Sequence, residues 1–219
     1  MAAPLLLSLV TALVAATGCT GSTPPHAAPQ SPAPSTSASN PALAALAQAE
    51  NVVTATRSFS FVATEVLSGD ASHATSLHGS VVRGQGVSYT LTANGRTSQV
   101  VRLAGATYVR PVPGRWSKLR KPRPVTDPAG TLLAVLRGLT NPSVRTAGVT
   151  QIVSGSLPAS AAKAAQLPAG SVPARVEITL DAAAHVTKLV VTTSSGSTDI
   201  TLTTSYGSFG KVPALKPPV

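Results

Sequence analysis

The chain holds a single thiol, Cys19, and its surroundings point to alkylation of that thiol. An uncharged apolar run, Leu5 to Ala16, precedes it, and Ala16-Thr17-Gly18 leads directly into it. Twelve uncharged residues, mostly apolar, suit the h-region of a secretion signal and are too few to span a bilayer as a helix. Small residues before a cysteine let processing enzymes bring the thiol and the scissile bond together, and this stretch resembles a lipobox. It departs from that pattern at Ala16, where Leu is usual, and Met1-Ala2-Ala3-Pro4 carries no side-chain charge. The expected outcome is a signal peptide at 1–18 and a diacylglyceryl group on Cys19; an ordinary cleaved signal with a chance cysteine is the alternative. A lone cysteine also excludes an intrachain disulfide.

Other chemistry-bearing residues form weaker constellations. No H-E-x-x-H, G-x-S-x-G, P-loop or dinucleotide-binding G-x-G-x-x-G pattern is present. His73 and His78 are five residues apart in a β-type run, which puts them on opposite faces and makes a poor metal pair. Glu65 and Asp70 would make a carboxylate pair, yet nothing places a base or a substrate beside them. Asp127 reads as a helix cap and Asp181 as a turn residue. A non-enzyme without metal or cofactor is therefore expected.

One basic run stands out. Arg110, Arg115, Lys118, Arg120, Lys121 and Arg123 fall within fourteen residues, with Trp116 among them and no acid. Such a patch suits phosphate or anionic headgroups, with an indole at the interface, so Arg115, Trp116, Lys118, Arg120 and Lys121 are the expected headgroup or membrane contacts. A solvated loop that only keeps the protein soluble is the plainer reading. Nucleic acid would also suit the charge, but an exported protein does not meet it.

Whatever positions these residues is built with few rings: aromatics are 3% and charged residues 11% of 219, against 43% hydrophobic. A folded core of Val, Leu, Ala and Thr follows. The net charge of +10 draws the protein toward anionic surfaces. Residues 19–40 read as a Pro/Ser-rich tether after Cys19. The 22 residues from Thr20 to Pro41 hold six prolines, and extended they reach roughly 70 Å at most. No later segment has enough consecutive apolar residues for a transmembrane helix. Lipid on Cys19 is then the membrane anchor, stable because it brings two chains or more.

Residues 41–219 read as one α+β domain. Asn40-Pro41 opens a helix over 41–56, and Asp127-Pro128 opens a second over 128–139. From Phe59 the apolar period becomes two, and β-type runs follow near 76–83, 86–94, 97–103 and 106–110, with Asn94-Gly95 the strongest hairpin signal. Runs at 143–149 and 151–157, a short Ala-rich helix at 159–166, and strands at 172–180, 185–193 and 197–205 complete the pattern. The tail 207–219 is Gly/Pro-rich. One long, curved antiparallel sheet with helices on a single face is the simplest way to bury both apolar helices.

This layout resembles the actinobacterial envelope lipoproteins of the LppX/LprG type. The resemblance rests on the lipobox and tether, Phe59-Ser60-Phe61, Tyr108-Val109-Arg110 followed by Trp116, the Asp127-Pro128 helix, and Tyr206-Gly207 before a Pro-rich end. It covers about residues 41–215. It implies a half-barrel of LolA/LolB-like architecture, wrapped by helices around an apolar cavity that holds acyl chains. Residues expected to line that cavity are Phe59, Phe61, Tyr89, Leu91, Leu132, Leu136, Leu139, Leu180, Leu189 and Leu202. The implied function is a lipid-anchored protein on the extracytoplasmic face of the cell membrane that carries or presents acylated lipids or lipoglycans, with an envelope transporter as a further partner. The composition alone favours a closely packed core without a void. A protein-binding envelope sensor or scaffold on the same fold is the alternative.

Overall fold

Two asparagine- and aspartate-capped helices frame the structure, a computed structural model that describes residues 40–68, 73–120, 127–167 and 173–218. The expected signal peptide, Cys19, and the tether up to residue 39 lie outside the described residues, as do Asp70, Lys121 and Arg123. Helix α1 (Pro41–Ala55) starts where the Asn40 side chain accepts the Ala42 N–H at 2.9 Å, with Pro41 in the first turn. Helix α2 (Pro128–Gly138) repeats the device: Asp127 accepts the Ala129 N–H at 3.1 Å. Both caps satisfy an N–H that a helix start leaves without a partner. A third, short helix, α3, spans Ala159–Ala164.

The strands are β1 (Ser58–Ser68), β2 (His73–Val82), β3 (Gly86–Ala93), β4 (Arg96–Leu103), β5 (Ala106–Val112), β6 (Ser117–Lys118), β7 (Thr140–Ala147), β8 (Thr150–Leu157), β9 (Ala174–Leu180), β10 (Val186–Ser195) and β11 (Thr198–Gly207). They form one antiparallel sheet in the order β6-β5-β4-β3-β2-β1-β11-β10-β9-β8-β7. The sheet is curved and unclosed: β6 and β7 are its edges. The expected α+β half-barrel is therefore the fold found. The first strand sits at its centre because β11 returns to pair with it, Phe61 opposite Tyr206 and Ala63 opposite Thr204.

Alternation sorts the two faces. On β1, Phe59, Phe61 and Ala63 are buried, while Val62 and Val66 are exposed. Across the sheet the inward set continues through Val81, Val87, Leu189, Val191, Val176, Ile178, Leu180 and Val153, all buried in one core with the inner faces of α1 and α2. Those faces are Ala42, Ala45, Leu46, Ala49 and Val53 on α1, and Ala129, Leu132, Val135 and Leu136 on α2. Helix α1 packs on β7, β8 and α2, and α2 packs on α3. Gly138 permits that last approach, since a Cβ there would lie 2.8 Å from the Ala161 methyl.

Strand β7 begins at Thr140, three residues before the expected run, and carries Pro142 inside it. Proline lacks the N–H a central strand needs but is tolerated on an edge, and the β7–β8 register shifts between Thr140 and Ser143 to pass it. The tail is held in place. The Gly210 N–H donates to the Ser58 carbonyl at 2.7 Å, and the Leu215 N–H to the Gln85 side chain at 3.0 Å. Phe209 stacks on His185, 4.4 Å between centroids.

Candidate functional site

Inward side chains near the middle of the sheet leave a hollow beneath the start of α2. Its floor is Phe61, Ala63 and Glu65 of β1, Leu77 of β2, Tyr89 of β3, Leu189 of β10, and Leu202, Thr204 and Tyr206 of β11; Pro128 and Thr131 of α2 and Gln166 and Leu167 after α3 close it from above. The cavity measures about 160 Å³. Register explains the hollow. Ala63 lies between Leu77 and Thr204, and Phe61 lies between Gly79 and Tyr206, so each of the two rungs carries one very small residue, Ala63 on β1 and Gly79 on β2. A Cβ on Gly79 would meet the Tyr89 Cβ at 2.5 Å. Glycine there lets Tyr89 lie close to the adjoining strand.

Lining is mixed in a particular way. Phe61, Leu77, Leu189 and Leu202 are apolar; Thr131, Thr204, Tyr206 and Gln166 add hydroxyls and an amide; among the described residues Glu65 is the one charged residue of the lining. Burial pushes the Tyr206 phenol well above its ordinary pKa, against a smaller opposing effect of its hydrogen bond with the Thr204 side chain. The hydroxyl is therefore a neutral hydrogen-bonding group at any physiological pH. Burial raises the Tyr89 phenol too, and the nearby Arg102 charge partly offsets it. Leu77, Tyr89 and Leu202 are only partly buried, so the apolar lining runs outward from the cavity along the concave face.

The ten residues expected to line a cavity separate into groups. Phe61, Tyr89, Leu189 and Leu202 line this one. Phe59 and Leu132 border a second, much tighter space beside α1, with Val53, His185 and Phe209 around it. Leu136, Leu139 and Leu180 are packed in the core and border neither space. Leu91 is partly buried, opposite Leu77 on the adjoining strand, and also borders neither.

Of the expected headgroup contacts, Arg115, Lys118 and Arg120 are exposed. Trp116 is not. Its ring lies under the Arg110 guanidinium, 5.1 Å from the centroid, and borders a groove on the outer face with Ser80, Ser88, Thr90 and Gln99. Arg110 is held there by a hydrogen bond to the Gln99 side chain. Asp181 serves its turn, accepting the N–H groups of Ala183 and His185 at 2.9 and 2.8 Å. His78 is exposed on the outer face, and among the described residues no group of His, Cys, Asp and Glu could hold a metal.

Sequence reasoning left Glu65, Thr131, Gln166, Thr204 and Tyr206 out of the cavity. For Glu65 the signal was available: it shares the parity of Phe59, Phe61 and Ala63, so an unbroken strand turns its carboxylate inward. Thr131 and Gln166 come from other elements, and no local pattern reports that they meet the sheet.

No family model and no curated protein matches the sequence. Solved structures do. LprF from Mycobacterium bovis superposes with a TM-score of 0.57 at 16% identity, over 81% of this chain and 96% of that one. The Mycobacterium tuberculosis lipoprotein LppX gives 0.51 at 18% identity, over 80% and 98%. The fold is that of LprF and LppX. The resemblance drawn from turn residues and spacing thus holds at the level of architecture, with both of those chains matched almost from end to end. Among the described residues of this LppX-like fold, no helix is long and apolar enough to cross a membrane.

Proposed function

We propose that the protein is a lipid-anchored envelope lipoprotein that binds acylated lipids and carries or presents them at the extracytoplasmic face of the cell membrane. The observation that carries this reading is the hollow between β1, β11 and α2, continued outward by partly buried apolar side chains. The hollow, about 160 Å³, continues outward along the concave face and has polar groups in its lining, so water fills it when no ligand does. Chain methylenes that displace this water gain about 0.8 kcal/mol each. The remainder of the ligand lies along the concave face. LppX is a lipoprotein by name, and the same anchor is proposed here through Cys19, with residues 1–18 removed and 19–40 as tether. Arg115, Lys118 and Arg120, together with Lys121, supply contacts to anionic headgroups.

Native mass spectrometry of the Cys19→Ala protein, produced in an actinobacterial host, tests the reading. Bound species with acyl-chain masses, and a melting temperature that falls when they are stripped, are expected. A protein that carries none, and is not stabilised by added lipid, is a packed scaffold. The observation that favours that second reading is the pair Val62 and Val66, 48% and 44% exposed on the outer face of the central strand, where a protein partner would bury them.

A further inference from the structure

We infer that the groove walled by Trp116, on the outer face of the sheet, binds a neutral saccharide. The inference does not rest on the lipid-binding reading, because the groove and the hollow lie on opposite faces. It measures about 380 Å³ and crosses β2, β3 and β4. Local sequence builds its wall. From Pro111 to Lys118 every residue is exposed except Trp116, which is partly buried. Strand β6 pairs Ser117 with Val109, and the Ser117 hydroxyl donates to the Val109 carbonyl at 3.2 Å, which fixes Trp116 beside β5. The Arg110 guanidinium braces the ring, 5.1 Å from its centroid, and donates to the Gln99 side chain. Val101 also belongs to the outer face yet is only 9% exposed, which fits an indole lying over β4.

Register lays out the floor. His78, Thr90 and Gln99 share one rung, and Ser80, Ser88 and Val101 share the next outward one. Two strand spacings, about 10 Å, separate His78 from Gln99, and outward rungs are about 7 Å apart. That is the scale of a sugar ring. Ser80, Ser88 and Thr90 are partly buried although small, so the floor is recessed. Their hydroxyls and the His78 ring make no hydrogen bond to the protein, whereas one outward rung away the Thr92 and Thr97 hydroxyls bond each other at 3.2 Å. Gln99 accepts from Arg110 through its oxygen, and its amide N–H groups remain as donors.

Hydroxyls, an imidazole and an amide donate and accept at once, as the hydroxyls of a sugar do. The indole supplies a flat apolar surface of large area, which the C–H face of a sugar ring covers. Small ligands are held by this combination of an apolar surface and a few placed polar groups. Among the described residues no Lys, Arg, Asp or Glu lines the groove. Arg110, the cation beside it, is already engaged with the ring and with Gln99. On a chain of net charge +10, anions have better partners in the exposed Arg115, Lys118 and Arg120, and the groove suits an uncharged ligand.

Trp116 is the only tryptophan in the chain, so indole emission reports on this groove alone. The test titrates the full chain, in a detergent without sugar, with linear hexasaccharides of glucose, mannose, galactose and xylose, following emission and binding heat. At least one is expected to shift the emission to shorter wavelength and to give saturable heat. Ser88→Ala combined with Thr90→Val, which removes two floor hydroxyls at nearly constant shape, should weaken that binding about tenfold or more. Trp116→Ala should abolish the heat, and Trp116→Phe, which keeps a ring in the wall, should retain part of it. Melting temperatures of the variants separate lost binding from lost fold. No shift and no heat with any of the four, or undiminished binding by a folded Trp116→Ala or by the double variant, overturns the proposal. An emission shift with dioleoyl phosphatidylglycerol vesicles and with none of the saccharides assigns the indole to a membrane surface and overturns it too.

Discussion

The ring of Phe59 meets that of Tyr206 edge to face, 5.7 Å between centroids, and joins the first strand to the last. The pair spans the β1–β11 seam, where the end of the chain completes a sheet begun at Ser58. Truncating Phe59 to Ala removes a fully packed ring at this seam and should cost about 3–5 kcal/mol, read as a lower urea midpoint. The Tyr206 phenol has a second consequence. Its folded pKa lies above the ordinary 10.0 because burial favours the neutral form. The stability this contributes is fully present below the unfolded value and is lost as pH rises from there toward the folded one. Unfolding free energy should therefore fall more steeply above about pH 10 in the unmutated protein than in Tyr206→Phe. Parallel slopes in the two proteins would show that the phenol is ionised in both states alike.

Cys19→Ala should leave the protein unlipidated. The expected readout is partitioning: the unmutated protein enters the detergent phase on warming, and the variant stays in the aqueous phase. A variant that still partitions into detergent would place the anchor elsewhere.

Replacing Arg115, Lys118, Arg120 and Lys121 by Gln should weaken binding to vesicles containing anionic lipid. Each contributes about 1 kcal/mol near such a surface, and added salt should erase the difference. Trp116 is left out of the set because its ring is engaged beneath Arg110. Equal vesicle binding at low salt would return the run to a solvated loop.

What was legible in the sequence was local or periodic. The Asn40-Pro41 and Asp127-Pro128 starts were readable because a cap bonds two residues ahead in its own chain. The two faces of the sheet were readable because parity is a property of the strand alone. What escaped depends on distant neighbours. The run expected from 143 starts three residues earlier, because the edge of the sheet accommodates Pro142. The two-residue β6, opposite Tyr108 and Val109, has no periodicity to display. Its pairing helps set where Trp116 lies, so an indole expected at an interface is turned onto the outer face. Leu136 and Leu139 share an apolar helix face with Leu132, but whether such a face borders a void or a packed neighbour is settled by the strands opposite it.

That distinction yields the last prediction. Leu136, 4% exposed and bordering neither space, has core side chains around it, and Leu202 borders the cavity and is partly open. Trp at position 136 overpacks a filled core, and a loss of about 1–3 kcal/mol is expected. Trp at position 202 has the hollow beside it and should fold with a smaller loss. Lipid uptake should respond in the opposite order, falling sharply in Leu202→Trp and less in any Leu136→Trp that folds. Thermal melts of stripped protein, followed by uptake of a dioleoyl lipid, measure both quantities on the same samples. A Leu202→Trp protein that melts far below Leu136→Trp would mean the cavity closes in solution. One that binds lipid as the unmutated protein does would mean acyl chains lie elsewhere on the concave face.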